Sequence, residues 1–152
     1  MPIKILRIVS GGQTGVDRAA LEVALALDLP TGGWCPKGRI AEDGIIAARY
    51  PLLETRTADY YERTRKNVED SDGSLILLDG PISGGTAYTK DCAVSLKRPH
   101  LVLDVNDEVT QKHFWDWVNK HDIKTLNIAG PRESKCPGIY ERAKLLLNTL
   151  LR

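Results

Sequence analysis

Three short apolar runs each stop at a glycine-rich turn, and this pattern constrains the chain more than any other feature. Ile5-Leu6-Arg7-Ile8-Val9 runs into Ser10-Gly11-Gly12-Gln13-Thr14-Gly15-Val16-Asp17. Leu75-Ile76-Leu77-Leu78 runs into Gly80-Pro81-Ile82-Ser83-Gly84-Gly85-Thr86. Leu126-Asn127-Ile128-Ala129 runs into Gly130-Pro131-Arg132-Glu133-Ser134. Near-continuous apolar runs of this length read as strands buried on both faces. Repeated strand–turn–helix units predict an α/β fold: a Rossmann-like parallel sheet with helices on both faces, in a single domain over residues 1–152. In such a sheet the three turns lie along one edge. Backbone N–H groups at helix starts there, with the positive end of the helix dipole, suit an anion.

The remaining chain fits the alternation. Strands are expected at 3–9, 74–78, 101–105 and 125–129. A helix is expected at 15–28, where Val16, Ala19, Ala20, Val23, Ala24 and Leu27 share one face; Pro30-Thr31-Gly32-Gly33 ends it. Asp59 reads as an N-cap with Glu62 at the third helical position, opening a helix over 60–70. A further helix spans 86–97 before Pro99. Asn106 is expected to cap the next helix, with Asp107 and Glu108 in its first turn and Phe114, Trp117 and Val118 facing the core. The last helix is expected from near Pro137, with Ile139, Ala143, Leu146, Leu147 and Leu150 as its stripe. Residues 34–57 resist assignment. Within them, 34–44 gather two basic and two acidic residues around glycines and read as a lid or a subunit contact.

Composition narrows the function. The 152 residues carry a net charge of +1, so a strongly basic face for duplex nucleic acid is not indicated. No run approaches the roughly 20 apolar residues of a membrane span. Met1-Pro2-Ile3-Lys4 leads straight into a strand without a signal-peptide pattern, so the expected location is cytoplasmic. Cys35, Cys92 and Cys136 are odd in number and far apart, which argues against a disulfide framework or a structural zinc site. His100, His113 and His121 form no His-x-x-x-His pair.

Candidate ligand contacts follow from the turns. Gly11, Gly12 and Gly15 admit close backbone approach. The spacing is neither the Gly-x-Gly-x-x-Gly dinucleotide fingerprint nor a Walker pattern. Thr14 and Thr86 offer hydroxyls to phosphate, or cap their own helices. Asp17 stabilises its helix start or contacts a ligand hydroxyl, amine or metal. Arg132 suits an oxyanion through paired N–H donors. Glu133 is placed to read an amino-substituted heterocycle, and Ser134 to cap the last helix. Arg65 and Asn67 are weaker candidates. Cys35 reads as a buried thiol before a soft metal ligand. The full candidate set is Gly11, Gly12, Gln13, Thr14, Gly15, Asp17, Ser83, Gly84, Gly85, Thr86, Gly130, Arg132, Glu133 and Ser134, with no catalytic and no metal-ligating residue.

Four blocks, Gly-Gly-Gln-Thr-Gly-Val-Asp at 11–17, Gly-Trp-Cys-Pro-Lys-Gly-Arg at 33–39, Ser-Gly-Gly-Thr at 83–86 and Ala-Gly-Pro-Arg-Glu-Ser at 129–134, together resemble the molybdenum carrier family. That family is similar to the molybdenum-cofactor carrier proteins and, more remotely, to the lysine-decarboxylase-like Rossmann proteins. The resemblance implies homo-oligomers, dimers or tetramers, and a site for molybdenum cofactor (molybdopterin), a nucleotide or another phosphorylated small molecule. It carries ligand contact to Gly11, Gly12, Thr14, Gly15, Gly84, Gly85, Thr86 and Arg132. Remote relatives include phosphoribohydrolases with the signature Pro-Gly-Gly-x-Gly-Thr-x-x-Glu. Here residues 83–91 lack the second glycine–threonine step, and Lys90 or Asp91 stands near the place of the Glu. The reading is therefore a binding protein, with two rivals: an N-glycosidic hydrolase using Asp91, Asp17 or Glu133, and a non-catalytic nucleotide-sensing module.

Overall fold

The computed structural model describes residues 5–108 and 111–152. Strand β1 (Arg7–Val9) is shorter than the expected 3–9 strand. Ile3 and Lys4 lie outside the described residues, and the N–H groups of Leu6 and Arg7 both donate to Lys124 O, so the regular ladder starts only at Arg7. Helix α1 (Val16–Ala26) follows, with Ala19, Ala20 and Ala24 fully buried. Their small side chains let the helix sit close to its neighbours. It ends at Leu27, and Asp28 turns the chain with a left-handed φ of 55°.

The next residues correct the sequence reading. Thr31 and Gly32 form strand β2 (Thr31–Gly32), parallel to β1, where only a helix stop was expected. Two residues carry too little periodicity to announce a strand. The 34–57 excursion holds four more short strands: β3 (Trp34–Cys35), β4 (Ile40–Ala41), β5 (Gly44–Ile45) and β6 (Leu53–Glu54). β3 runs parallel to β6, and β4 pairs antiparallel with β5. Arg39 holds this excursion together by donating to four carbonyls, those of Ile46, Ala47, Tyr50 and Leu52, at 2.8–3.2 Å.

Helix α2 (Tyr60–Glu69) is capped as expected, Tyr61 N–H donating to Asp59 Oδ1 at 2.9 Å. Strand β7 (Gly73–Leu78) is buried at every residue. Helix α3 (Gly84–Ser95) begins two residues before the expected Thr86. Strand β8 (His100–Asp104) precedes helix α4 (Gln111–Lys120), whose first turn holds no acidic residue. Asn106 therefore does not cap it as expected; its side-chain amide donates to Asp79 and Asp104 instead. Strand β9 (Thr125–Ala129) leads to helix α5 (Ile139–Leu151), which starts two residues beyond Pro137.

The main sheet has five parallel strands in the order β2-β1-β9-β7-β8. On one face Ile8, Leu75, Leu77, Leu103, Leu126 and Ile128 pack with α1, α4 and α5 into the principal core. Phe114 and Val118 belong to it, and Trp117 packs against it. On the other face α2 and α3 meet through Val68, Cys92 and Ala93. This is the expected Rossmann-like arrangement. No described helix is long and apolar enough to cross a membrane.

Candidate functional site

The carboxyl ends of β1, β9 and β7 are neighbours in the sheet, so the three glycine turns stand side by side. The helices after β1 and β9 join the principal core, whereas α3 after β7 lies on the other face. Chains that part to opposite faces leave a crevice between them, the usual ligand position in open α/β sheets. Here it is a cleft of about 420 Å3, lined by Gly11, Gln13, Asp17, Ser83, Gly84, Gly85, Thr86, Gly130 and Arg132 among the expected residues. α2 closes it with Tyr60, Tyr61, Arg63, Thr64 and Asn67, and Thr89, Asn127 and Lys135 add to the wall. Asn127 donates to Ser74 Oγ at 3.0 Å, giving the cleft a polar floor between apolar strands.

The first turn does not offer the row of open N–H groups that its glycines suggest. Gly12 N–H donates to Ser10 Oγ, Gln13 N–H to Asp17 Oδ2, Thr14 N–H to Gln13 Oε1 and Val16 N–H to Pro131 O. Gly15 is needed for packing: a Cβ there would lie 2.3 Å from Pro131 O, and its φ is +77°. Gly12 faces Leu52 and Ile46 rather than the cleft. This turn is a junction, welded to the third turn by main-chain contact.

The second turn is different. Ser83 stands at the N-cap of α3 with no side-chain cap, and the helix has no acid in its first turn. A Cβ on Gly85 would meet nothing within 4 Å, so the helix start is open to the cleft. The Lys135 amine reaches over Gly84 from the third turn, and its ammonium has no partner among the described residues. Thr86 lies inside the helix rather than at its cap. Arg132 lines the same cleft; its Nε lies 3.2 Å from both Ser134 Oγ and Glu42 Oε1.

Thr14, Gly15, Glu133 and Ser134 face away from this cleft, into a separate open groove of about 720 Å3. Glu133 is committed to α5, its carboxylate accepting from Gly138 N–H at 2.6 Å and Tyr140 N–H at 2.9 Å. It is Glu133, not Ser134, that caps the last helix, and it does not read a heterocycle in the cleft. Ser134 and Thr14 donate instead to Glu42, whose carboxylate also accepts from Ser134 N–H at 3.1 Å. Burial works against the Glu42 carboxylate, but the hydrogen bonds from Ser134 and Thr14 outweigh it and hold its carboxyl below the usual range. Residues 34–44 are thereby pinned to the first and third turns, and none of them lines the cleft. Cys35 is fully buried with Leu21, Ile46, Tyr50 and Leu52, and burial pushes its thiol up, in keeping with an inert thiol.

Asp17 and Arg63 form an ion pair at 3.1 Å, with side chains 9% and 11% exposed. Burial pushes the Asp17 carboxyl up to about 6; Arg63, the Gln13 N–H and Arg18 offset this only in part. Of the three carboxylates considered for glycosidic cleavage, Asp17 lines the cleft, Glu133 does not, and Asp91 is exposed on α3. Arg65 pairs with Glu69 on the solvated face of α2, whereas Asn67 lines the cleft as well as clamping the main chain of Trp34.

The model of the circularly permutated YpsA SLOG family matches residues 8–151. The chain belongs to this family. A crystal structure of a protein from Syntrophus aciditrophicus called a "putative molybdenum carrier protein" is 46% identical, with a TM-score of 0.94 over 99% of this chain and 97% of that one. The likeness covers the whole of this SLOG domain, cleft included. No curated protein matches the chain.

Proposed function

We propose that the cleft binds a phosphorylated small molecule and that the protein serves as a carrier of molybdenum in its pterin cofactor. The observation that carries this reading is the start of α3, without a side-chain cap, open at Gly85 and overhung by the Lys135 amine, which has no partner among the described residues. Backbone N–H groups of the first helical turn and a lysine point charge together suit a phosphate. Arg132, steadied by Glu42 and Ser134, adds a second cation at the rim. Tyr60 and Tyr61 line the opposite wall and offer aromatic surface to a flat ring. The volume of about 420 Å3 lies within the range of small-molecule sites.

The donor set favours an anion over a bare metal cation. No group of three His, Cys, Asp or Glu among the described residues is arranged to hold a metal ion. The metal therefore enters this reading as part of the cargo, and the protein holds the cargo by its phosphate and ring. The likeness to the Syntrophus protein supports molybdenum as the metal concerned.

The test is native mass spectrometry with elemental analysis on protein purified from a host that makes molybdenum cofactor. A pterin-sized adduct with stoichiometric molybdenum, reduced in a Lys135→Ala variant, is the expected result. A nucleotide adduct without molybdenum would keep the phosphate site and overturn the carrier role.

A further inference from the structure

Besides the start of α3, the cleft wall holds a second polar group. It is the Asp17 carboxylate, 9% exposed. Its Oδ2 accepts from Arg63 Nη1 at 3.1 Å and from Gln13 N–H at 3.3 Å. Its Oδ1 accepts nothing from the described residues. Arg63 is fixed in turn: its guanidinium fills the space beside Gly11 and sits 5.4 Å from the Tyr60 ring. A carboxylate is an acceptor at both oxygens; Oδ1 is not sealed in the protein, since the one buried side-chain polar atom without a partner among the described residues is Arg142 Nε, and so Oδ1 is open to a donor in the cleft. An ion pair serving only to join α1 to α2 has no need to leave one oxygen in a cavity wall.

We propose that Asp17 Oδ1 accepts a hydrogen bond from a neutral O–H or N–H on the ligand. The ligand class is then an anionic compound, phosphorylated at one end and carrying a donor-bearing sugar or ring at the other. Asp17 is the specificity residue, and Arg63 is a positioning residue that fixes which oxygen meets the ligand. The inference rests on the phosphate reading above. Burial is what raises the Asp17 carboxyl, and a further donor to Oδ1 offsets part of that cost.

The chemistry gives a sharp variant. In Asp17→Asn, Arg63 holds the amide oxygen, so an NH2 group takes the place of Oδ1. An acceptor becomes a donor at nearly constant shape. The probes are inorganic phosphate, AMP, 2′,3′-dideoxy-AMP and purine riboside 5′-monophosphate, titrated by calorimetry. The wild-type protein is expected to bind AMP at least tenfold more tightly than one of the two analogues. The dideoxy analogue identifies a sugar O–H, and the purine riboside a ring N–H. Asp17→Asn is expected to abolish that discrimination while phosphate still binds, no more weakly than in the wild type, since the variant removes a negative charge from beside Arg63. Arg63→Lys, which keeps the charge but loses the fork, is expected to weaken the discrimination without changing phosphate binding.

Circular dichroism and unfolding midpoints check that each variant is folded. Unchanged discrimination in folded Asp17→Asn overturns the proposal, as does wild-type binding of AMP no tighter than inorganic phosphate. Loss of phosphate binding by the wild-type protein itself would instead overturn the anion reading on which it rests.

Discussion

Gly15 and Gly85 belong to glycine turns that look alike in sequence, yet replacing each with alanine should have opposite consequences. Gly15 has φ +77° and ψ −130°, a region that costs an L residue about 1–3 kcal/mol. A Cβ there would lie 2.3 Å from Pro131 O and 2.9 Å from Arg132 C and Glu133 N, all main-chain atoms that no rotamer change relieves. Overpacking of this kind costs about 1–3 kcal/mol. Parting the two turns also stretches the bond from Val16 N–H to Pro131 O, about 1 kcal/mol more. The sum is about 3–7 kcal/mol, a large share of the roughly 5–15 kcal/mol that holds a domain folded. At about 2–4 °C per kcal/mol, Gly15→Ala should lower Tm by about 6 °C or more. Gly85→Ala meets nothing within 4 Å inside a helix and should leave stability unchanged or raise it by up to about 1 kcal/mol. Urea unfolding followed by circular dichroism measures both. A Gly15→Ala protein within 1 kcal/mol of wild type would show that the first turn is not welded to the third.

Further expectations concern charge. Arg132→Ala should weaken a phosphate-bearing ligand by about 1.5–3 kcal/mol in calorimetry, and an unchanged Kd would remove Arg132 from the site. Burial raises the Asp17 carboxyl from 3.8 to about 6, so its stabilising share is complete below pH 3.8 and is lost as pH rises through 6. That swing is about 3 kcal/mol; comparing wild type with Asp17→Asn by urea unfolding at several pH values should show it, and parallel curves would refute it. Glu42 has the opposite sign. Its lowered carboxyl contributes above pH 4.5 and loses that contribution as pH falls through its lowered folded value, so Glu42→Ala should cost about 1–2 kcal/mol at pH 7 and progressively less as pH drops below 4.5. The same variant should expose residues 36–50 to limited proteolysis, and an unchanged digestion pattern would deny the pinning role.

Legibility in the sequence tracked the length of each signal. β7 and β9 were readable because apolar runs of this length read as buried strands, and α1 because its alanines fall on one face. β2 escaped because two residues have no period, and β3 to β6 because their ordering force is Arg39, whose four acceptors are scattered along the chain. The edge carrying the site was readable from the turns, since parallel strands place them together. Which turn stayed open was not. Gly12, Gly15 and Gly130 pack against neighbours, Gly130 with its would-be Cβ 2.5 Å from Leu77 O, and composition does not distinguish packing glycines from exposed ones. Asn127 did leave a signal, a polar residue within an apolar run. Lys135 stood three residues from Arg132 without a motif to mark it. Arg63 left none, being one of three cations along a polar helix.

The partners of β1 have a consequence for how the chain acquires its fold. β1 lies between β2 and β9, with Ile8 opposite Leu126, so one of its two ladders spans most of the polypeptide. During synthesis the first turn therefore waits, unpaired on one side, until residues 125–135 have left the ribosome. Closing so long a loop is paid late in folding and slows it. The cleft shares that delay, because Asp17 and Lys135 come from the two ends that must meet. A nascent chain has no half-formed pocket with which to capture cargo early, and loading begins only after the last strand has docked.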